Sequence, residues 1–399
     1  MNGPHASGSH VVIVGGGLAS VRTAQALRDL GHRGRVSLVS EEPDEPYDRP
    51  PLSKEYLLGT RGAADIRLAD PDEYARRDIE LLLGRAVAGM DLRTRTLTFA
   101  DGGEIGYERL VVATGARPRR LPDLPESGRV HYLRTAADSR RLAGVLTDGA
   151  RVAVIGAGFI GLEVACAARL RGCRVTVVEA AAQPMAPIIG AEPAAWLRRW
   201  HSGRGLEFRC GTTVEKSEER PGGRLLWLGD GTVVEADVVV VGVGVVRDTA
   251  WLAAAGLETH HGLVCDETGR TSAADVFGAG DIVCRHTAGR CRPTGHWTAA
   301  SDSAAKVAAA LLGVPPPDLG EDGFFWSDQA DLRLQFVGAA PPTATATVVS
   351  GDFDSGKFVV HYTEGDRLTG VFAANAPRDF LRGRLALRAI RPAIDEVRT

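Results

Sequence analysis

One local design occurs twice in this chain of 399 residues, and it constrains the fold more than any other feature. In the first copy a β-branched run over residues 10–14 passes at once into Gly15, Gly16 and Gly17, then Leu18, Ala19 and Ser20. The segment that follows, VRTAQALRDLG, has apolar residues at helical spacing and closes on Gly31; RVSLVSEE then supplies a second strand ending in acid at Glu41. In the second copy RVAVIG leads into AGFIG with Gly156, Gly158 and Gly161, a helix runs to Leu170, and CRVTVVE ends at Glu179. The spacing predicts strand, tight glycine turn, helix and strand in each case. Such a turn aims backbone N–H groups at a helix N-terminus, where partial positive charge favours an anion such as a pyrophosphate.

Each copy resembles the mononucleotide half of a Rossmann unit. In the first, Ser20 stands where the third glycine packs helix against strand, a place that a small residue can fill, and the Glu41 carboxylate can accept ribose hydroxyls. The second fingerprint is complete. An acid at Glu179 binds an adenosine 2'-hydroxyl and repels a 2'-phosphate, and the following AAAQPMAP holds no Arg or Lys to neutralise one. NADH is therefore expected over NADPH. Two dinucleotides in one chain imply two redox partners, and a flavin is the common acceptor for a nicotinamide hydride.

The rest of the chain reads around these units. A Pro-rich loop, EEPDEPYDRPPLSKEYLLG, follows the first, and turns at Asp101-Gly102-Gly103 and Asp230-Gly231 read as hairpins. VVVVGVG and DVFGAGD read as strands buried on both faces of a parallel sheet. A helix is expected over residues 298–312, closed by Gly313. Alternating patterns from residue 318 onward, then an Arg-rich helix, indicate a separate α+β domain. With 44% hydrophobic and 24% charged residues the composition is that of an ordinary soluble protein, and a net charge of -3 supplies no global field for nucleic acid. The polar start lacks a signal-peptide core, and the most apolar stretch, residues 238–246, is far shorter than the roughly 20 residues that span a bilayer. A cytoplasmic protein without membrane attachment is expected. The six cysteines form no CxxC or CxxxxC, so no metal cluster is expected and all six read as structural thiols. With no cysteine before Cys166, the CxxxxC that a disulfide reductase needs after the first unit is missing, which argues against that chemistry.

The chain resembles the FAD-dependent, NADH-oxidising ferredoxin reductases that feed cytochromes P450 and Rieske-type oxygenases. The resemblance runs nearly end to end, through VVIVGGGLAS, YDRPPLSKEYL, LVVATGARPR, YLRTAAD, VAVIGAGFIGLEVA, GLVCDETGRTSAADVFGAGD, HWTAA and FFWSDQADLRLQFVG. PYDRPPLSK and FWSDQ are far more specific than any glycine motif. The resemblance implies two Rossmann-like dinucleotide-binding domains of the glutathione reductase type plus a C-terminal α+β domain. Residues 1–114 with 241–317 would bind FAD, 115–240 would bind NAD, and 318–399 would be the third domain.

The resemblance also implies roles. FAD contacts fall on Gly15, Gly17, Leu18, Ala19, Ser20 and Glu41, on the loop of Arg49, Pro50 and Lys54, and on Val87, Ala113, Thr114, Gly115 and Arg134. Gly280 and Asp281 of the GAGD motif contact it too, and Trp297 sits beside the isoalloxazine. NAD contacts fall on Gly156, Gly158, Phe159, Ile160, Gly161, Glu179 and Gly244, with Glu163 at the junction. Lys54 and Glu163 are the catalytic candidates. Reduced flavin carries negative charge that a buried ammonium stabilises, and a carboxylate keeps that ammonium oriented. Only four of the 47 basic residues are lysine, so one kept in this loop suggests that a compact point charge is preferred there. The family's acidic residue two positions before Trp297 is replaced by Gly295.

The expected partner is a small [2Fe-2S] ferredoxin and, through it, a P450 or Rieske-type oxygenase. Arg378, Arg382, Arg384, Arg388 and Arg391 lie on the last helix; Arg384, Arg388 and Arg391 share a face and form a candidate docking patch for an acidic ferredoxin. A monomer or weak dimer is expected. The alternative is a rubredoxin reductase or an apoptosis-inducing-factor-like NADH oxidoreductase or redox sensor.

Overall fold

The computed structural model describes residues 8–287, 290–293, 295, 297–319 and 323–390. The chain forms two compact units: Met1–Arg49, Ala63–Arg117 and Val245–Glu321 make the first, and Pro50–Gly62, Pro118–Gly244 and Asp322–Thr399 make the second.

The first unit is built on a parallel sheet ordered Val276–Gly278, Arg109–Val112, Val11–Val14, Val36–Val39, Ile79–Leu82. These strands are β-branched and apolar because both faces are covered. Val11 and Ile13 point to one face, where Val21, Ala24 and Leu27 of helix Leu18–Asp29 and Val307, Ala308 and Leu311 of helix Trp297–Leu312 complete a core. Val12 and Val14 point to the other, against Leu97, Phe99, Leu252 and Leu263. Strands Thr96–Phe99 and Glu104–Gly106 form the hairpin expected from Asp101-Gly102-Gly103.

The second unit repeats the parallel plan, with the order Leu206–Cys210, Arg174–Glu179, Arg151–Ile155, Val238–Val241, Val130–Tyr132. Ala153, Ile155, Val239 and Val241 pack on Leu226, Leu228, Val234 and Ala236 of a small antiparallel sheet. Helix Phe159–Leu170 lies against the strands on either side of it in sequence. This unit also holds the segment Pro50–Gly62 and a five-stranded antiparallel sheet, ordered Phe325–Gln329, Leu332–Gly338, Arg367–Ala374, Lys357–Glu364, Thr345–Asp352. Phe380 and Leu387 of helix Pro377–Ile390 cover Val337, Val359 and Val371 on one face. The fold is the mixed α/β arrangement with an α+β C-terminal part that the sequence predicts.

Some local expectations need correction. The second strand of the first unit ends at Val39, so Glu41 lies in the following loop rather than at the strand end. The long helix begins at Trp297, one residue early. Of VVVVGVG, read as a buried strand, only Val238–Val241 is strand and buried; Gly244 is exposed at φ +94°, where the chain has left the sheet. Cys166, Cys173, Cys210 and Cys265 are free, but Cys284 is disulfide-bonded, so the reading of six free thiols fails there.

Two buried histidines carry a pH dependence. Burial, the largest cause, holds His131 and His201 below the ordinary imidazole value of 6.5, and His131 Nε2 has no hydrogen-bond partner to receive an added proton. The unfolded chain therefore takes up protons first as pH falls. Their contribution to stability is complete above the unfolded value and lost as pH drops through 6.5 toward the lower folded values. Each histidine adds a slope of up to about 1.4 kcal/mol per pH unit within that window. The urea midpoint should fall between about pH 7.5 and about pH 5.5 and fall less in His131→Gln; equal midpoints would remove this account.

Candidate active site

At the first glycine turn, Gly15 has φ +132°, and a Cβ there would stand 2.2 Å from the Ala113 carbonyl oxygen and 2.9 Å from Ser20 Oγ. The turn thus packs directly on the segment leading to Thr114 and Gly115, the latter at φ +73°. Ser20 is fully buried and fits the third-glycine position as a small residue. Gly17 is different. A Cβ there meets nothing within 4 Å, and no side chain caps the helix that begins at Leu18. Open space before uncapped helix amides is a cradle that a side chain would fill and a phosphate fits. Gly280, at φ +72°, closes on the same helix: its Cβ would lie 2.8 Å from that of Ala19, and its amide donates to Ser303 Oγ at 3.0 Å. Asp281 follows in a short turn, with its carbonyl accepting from Arg247 Nε.

Glu41 is half exposed and pairs with Arg117 at 2.8 Å, a partner the sequence reading did not include. Arg49 is held by Glu42 at 2.7 Å and lies over the Tyr47 ring. Burial works against its charge, but Glu42 first, with Tyr47 and Asp281, raises the guanidinium above its ordinary value. Trp297 Nε1 donates to Asp48 Oδ1 at 2.8 Å, so the first residue of its helix is tied to the Pro-rich loop. Val87 starts a strand and is packed against the first unit's core. Thr294 and His296 beside Gly295 lie outside the described residues.

At the second turn, Gly156 has φ +99° and its Cβ would lie 2.5 Å from the Gly242 carbonyl oxygen; a Cβ on Gly161 would lie 2.0 Å from that of Gly156. Gly158 again faces open space, and again no side chain caps the helix beginning at Phe159. Phe159 packs edge-on against Phe325 at 4.7 Å, while Ile160 is exposed. Glu179 ends its strand as predicted. Its Oε2 accepts from the Ala157 amide at 2.6 Å and Oε1 from Ala181 at 2.8 Å, so the acid is fixed on the glycine loop itself. Gly244 accepts from the Arg119 amide at 2.9 Å. The amide of Arg134 donates to Asp138 Oδ2 at 3.0 Å, before a helix closed by a Thr135–Asp138 capping box.

These glycines separate two constraints. Gly15→Ala and Gly161→Ala should destabilise the protein by about 1–3 kcal/mol or more through backbone clashes. Gly17→Ala should fold with an unaltered melting temperature and lose flavin absorbance on purification, because its Cβ occupies only the phosphate's space. A Gly17→Ala protein that retains full flavin would refute the cradle.

Lys54 and Glu163 meet. Lys54 Nζ donates to Glu163 Oε2 at 2.9 Å, with side chains 13% and 7% exposed. The same carboxylate accepts from Ser53 Oγ at 2.5 Å and, on Oε1, from Ser327 Oγ at 2.7 Å. Pro50 opens the short 3-10 turn that carries Ser53 next to Lys54. Ser53 and Ser327 were not picked out from sequence; the signal for Ser327 was a polar residue at an inward position of the alternating FWSDQ strand, whose Phe325, Ser327 and Gln329 are buried. On the last helix, Arg384 lies over the Phe324 ring at 4.3 Å and Arg382 pairs with Asp379 at 2.8 Å; Arg391 lies outside the described residues. Among the described residues no cluster of His, Cys, Asp and Glu could hold a metal ion, and no helix is long and apolar enough to cross a membrane.

Residues 9–304 match the pyridine nucleotide-disulphide oxidoreductase family, and residues 324–397 match the reductase C-terminal family. The chain is 38% identical, over 95% of its length and 94% of the relative's, to the ferredoxin–NAD(+) reductase component of the anthranilate 1,2-dioxygenase system of Burkholderia cepacia. It is 34% identical to putidaredoxin reductase of Pseudomonas putida, over 93% and 90% of the two chains. Among solved structures it is similar to the reductase of the covalent putidaredoxin reductase–putidaredoxin complex, with a TM-score of 0.90 and 33% identity over 96% of this chain and 93% of that one. With both glycine turns, the Lys54–Glu163 pair and the C-terminal sheet accounted for, the chain belongs to the pyridine nucleotide-disulphide oxidoreductases, as a ferredoxin reductase that uses FAD and NAD(P).

Proposed function

We propose that this reductase takes electrons from NADH and delivers them through FAD to a small [2Fe-2S] ferredoxin that supplies a P450 or Rieske-type oxygenase. The observation that carries the choice of donor is Glu179: its carboxylate is held by the Ala157 and Ala181 amides on the second glycine loop. A 2'-phosphate would meet that negative charge with no cation in the following AAAQPMAP to offset it. The names of the relatives, with their dioxygenase and putidaredoxin systems, support the ferredoxin and oxygenase.

Residues 1–114 and 241–317 are assigned to FAD, 115–240 to NAD and 318–399 to the C-terminal domain. The amides after Gly17 receive the FAD pyrophosphate, with Ala19, Gly115, Gly280 and Asp281 around it; those after Gly158 receive that of NAD. Lys54 directs an ammonium at the flavin, and Glu163 fixes its direction. Bound FAD supplies what side chains lack, accepting two electrons together and releasing them singly. The same reading takes the protein as cytoplasmic and as a monomer or weak dimer. The test is the visible spectrum of the purified protein. The flavin absorbance should bleach with NADH and remain with equal NADPH, and cytochrome c reduction should then require added ferredoxin. Equal bleaching by both nucleotides would overturn the donor assignment, and ferredoxin-independent cytochrome c reduction would overturn the acceptor.

A further inference from the structure

The hydrogen bonds on Glu163 do not stop at Ser327. Gln329 is two residues along the same strand and so faces the same buried side. Its Nε2 donates to Ser327 Oγ at 3.1 Å, and its Oε1 lies 2.7 Å from His201 Nε2. His201 Nδ1 in turn lies 3.7 Å from Cys166 Sγ. Ser327 and Gln329 are 0% exposed, His201 is 1% and Cys166 is 5%. All belong to the second unit and come from the strand Phe325–Gln329 and the helices Ala191–Ser202 and Phe159–Leu170. Cys166 stands three residues after Glu163 on one helix, so the chain of bonds leaves that helix and returns to it.

Every proton in this chain is fixed by its neighbour. The Glu163 carboxylate only accepts, so Ser327 gives it the hydroxyl proton. The Ser327 oxygen is then the acceptor for the Gln329 amide nitrogen. That orients the Gln329 carbonyl toward His201, whose Nε2 must carry a hydrogen. A neutral ring with Nε2–H presents Nδ1 as an acceptor, and the Cys166 thiol donates to it. Burial, the largest cause, keeps His201 below its ordinary value, with Arg204 adding to it and the Gln329 bond and Asp331 opposing. Burial and then the charges of Glu163 and Asp331 push the Cys166 thiol up to about 12, against Arg204. A glutamine cannot hand on a proton, so the chain is not a conduit. All its bonds point one way, toward the carboxylate. Burying this many polar groups costs more than apolar packing would, and a need for their orientation accounts for keeping them.

We propose that Ser327, Gln329 and His201 are positioning residues: a one-directional hydrogen-bond chain running from the Cys166 thiol holds the Glu163 carboxylate in a single orientation and so aims the Lys54 ammonium. This rests on the assignment of Lys54 to the flavin made above. The experiment uses the flavin-loaded enzyme with three readouts: the S–H stretch in the infrared, identified by its loss in Cys166→Ala; the flavin midpoint potential; and the rate of flavin reduction by saturating NADH. In the unaltered enzyme the stretch should be that of a donating thiol, and in Gln329→Met that of a free one. Ser327→Ala and His201→Leu should make the potential more negative and slow reduction by about tenfold, less than the roughly 100-fold that a misplacement of about 1 Å in a site can cost. NADH affinity should not change. His201→Gln, which keeps an N–H donor for Gln329, should restore potential and rate to within about twofold of the unaltered enzyme. A free-thiol stretch in the unaltered enzyme overturns the inference. So does an unmoved potential in both Ser327→Ala and His201→Leu when Lys54→Met does shift it. An unmoved potential in Lys54→Met overturns the flavin assignment of Lys54 and the inference with it.

Discussion

Glu163→Leu should destabilise the protein by about 3–5 kcal/mol, the usual cost of stripping a buried charge of its partner. Lys54, Ser53 and Ser327 all donate to this one carboxylate, and the leucine leaves three buried donors without it. Adding Lys54→Met to Glu163→Leu should recover most of the lost stability, since a buried ion pair replaced by apolar groups of similar volume is often neutral or better. Activity should not follow. Flavin reduction by NADH should fall by about 100-fold in both proteins, the loss typical of removing one preorganised electrostatic group. Urea unfolding of the two variants beside stopped-flow reduction separates these effects. Recovery of rate together with stability would show that the pair serves the fold alone.

Glu179→Arg should lower kcat/KM for NADH by about 10- to 100-fold, which matches the 1.5–3 kcal/mol of a charged hydrogen bond to the ribose hydroxyl, and should raise it for NADPH. Because Glu179 also anchors the Ala157 and Ala181 amides, a loss with arginine alone would mix charge with loop geometry. Glu179→Gln resolves this. It keeps one of the two acceptors that hold the Ala157 and Ala181 amides and removes the charge, so NADH should lose only a few-fold while discrimination against NADPH collapses. Intact discrimination in Glu179→Gln would mean that shape, and not charge, excludes the 2'-phosphate.

What could be read from the chain and what could not divides along sequence distance. The glycine turns and Glu179 were legible because strand, turn, helix and acid are consecutive, and a tight turn with φ near +100° at Gly156 leaves little choice of residue. The hairpin turns and the alternating C-terminal strands were legible for the same reason. Glu41 was read as a strand-end ribose acceptor, but the strand stops at Val39 and Arg117, 76 residues away, pairs with it. His201 and Gln329 are 128 residues apart and Ser327 and Glu163 are 164 apart, so no local pattern joins them. His201 drew no reading from sequence, and the polar members of FWSDQ read as part of a recognisable motif without a physical reason. Only the packing of the strand Phe325–Gln329 beside the helix Phe159–Leu170 supplies that reason. Lys54 and Glu163 were reached partly by chemistry, through the scarcity of lysine, and partly by resemblance.

The helix Phe159–Leu170 carries the second glycine turn at its head and Glu163 a little over one turn in. From Gly158 to Glu163 the helix rises about 7.5 Å and winds through about 500°. Inserting one residue between Gly161 and Glu163 would leave the turn intact and swing the carboxylate by about 100° away from Lys54. Length in this stretch is therefore constrained as well as composition: even with Gly161 and Glu163 both kept, a single insertion or deletion uncouples nucleotide capture from the ion pair.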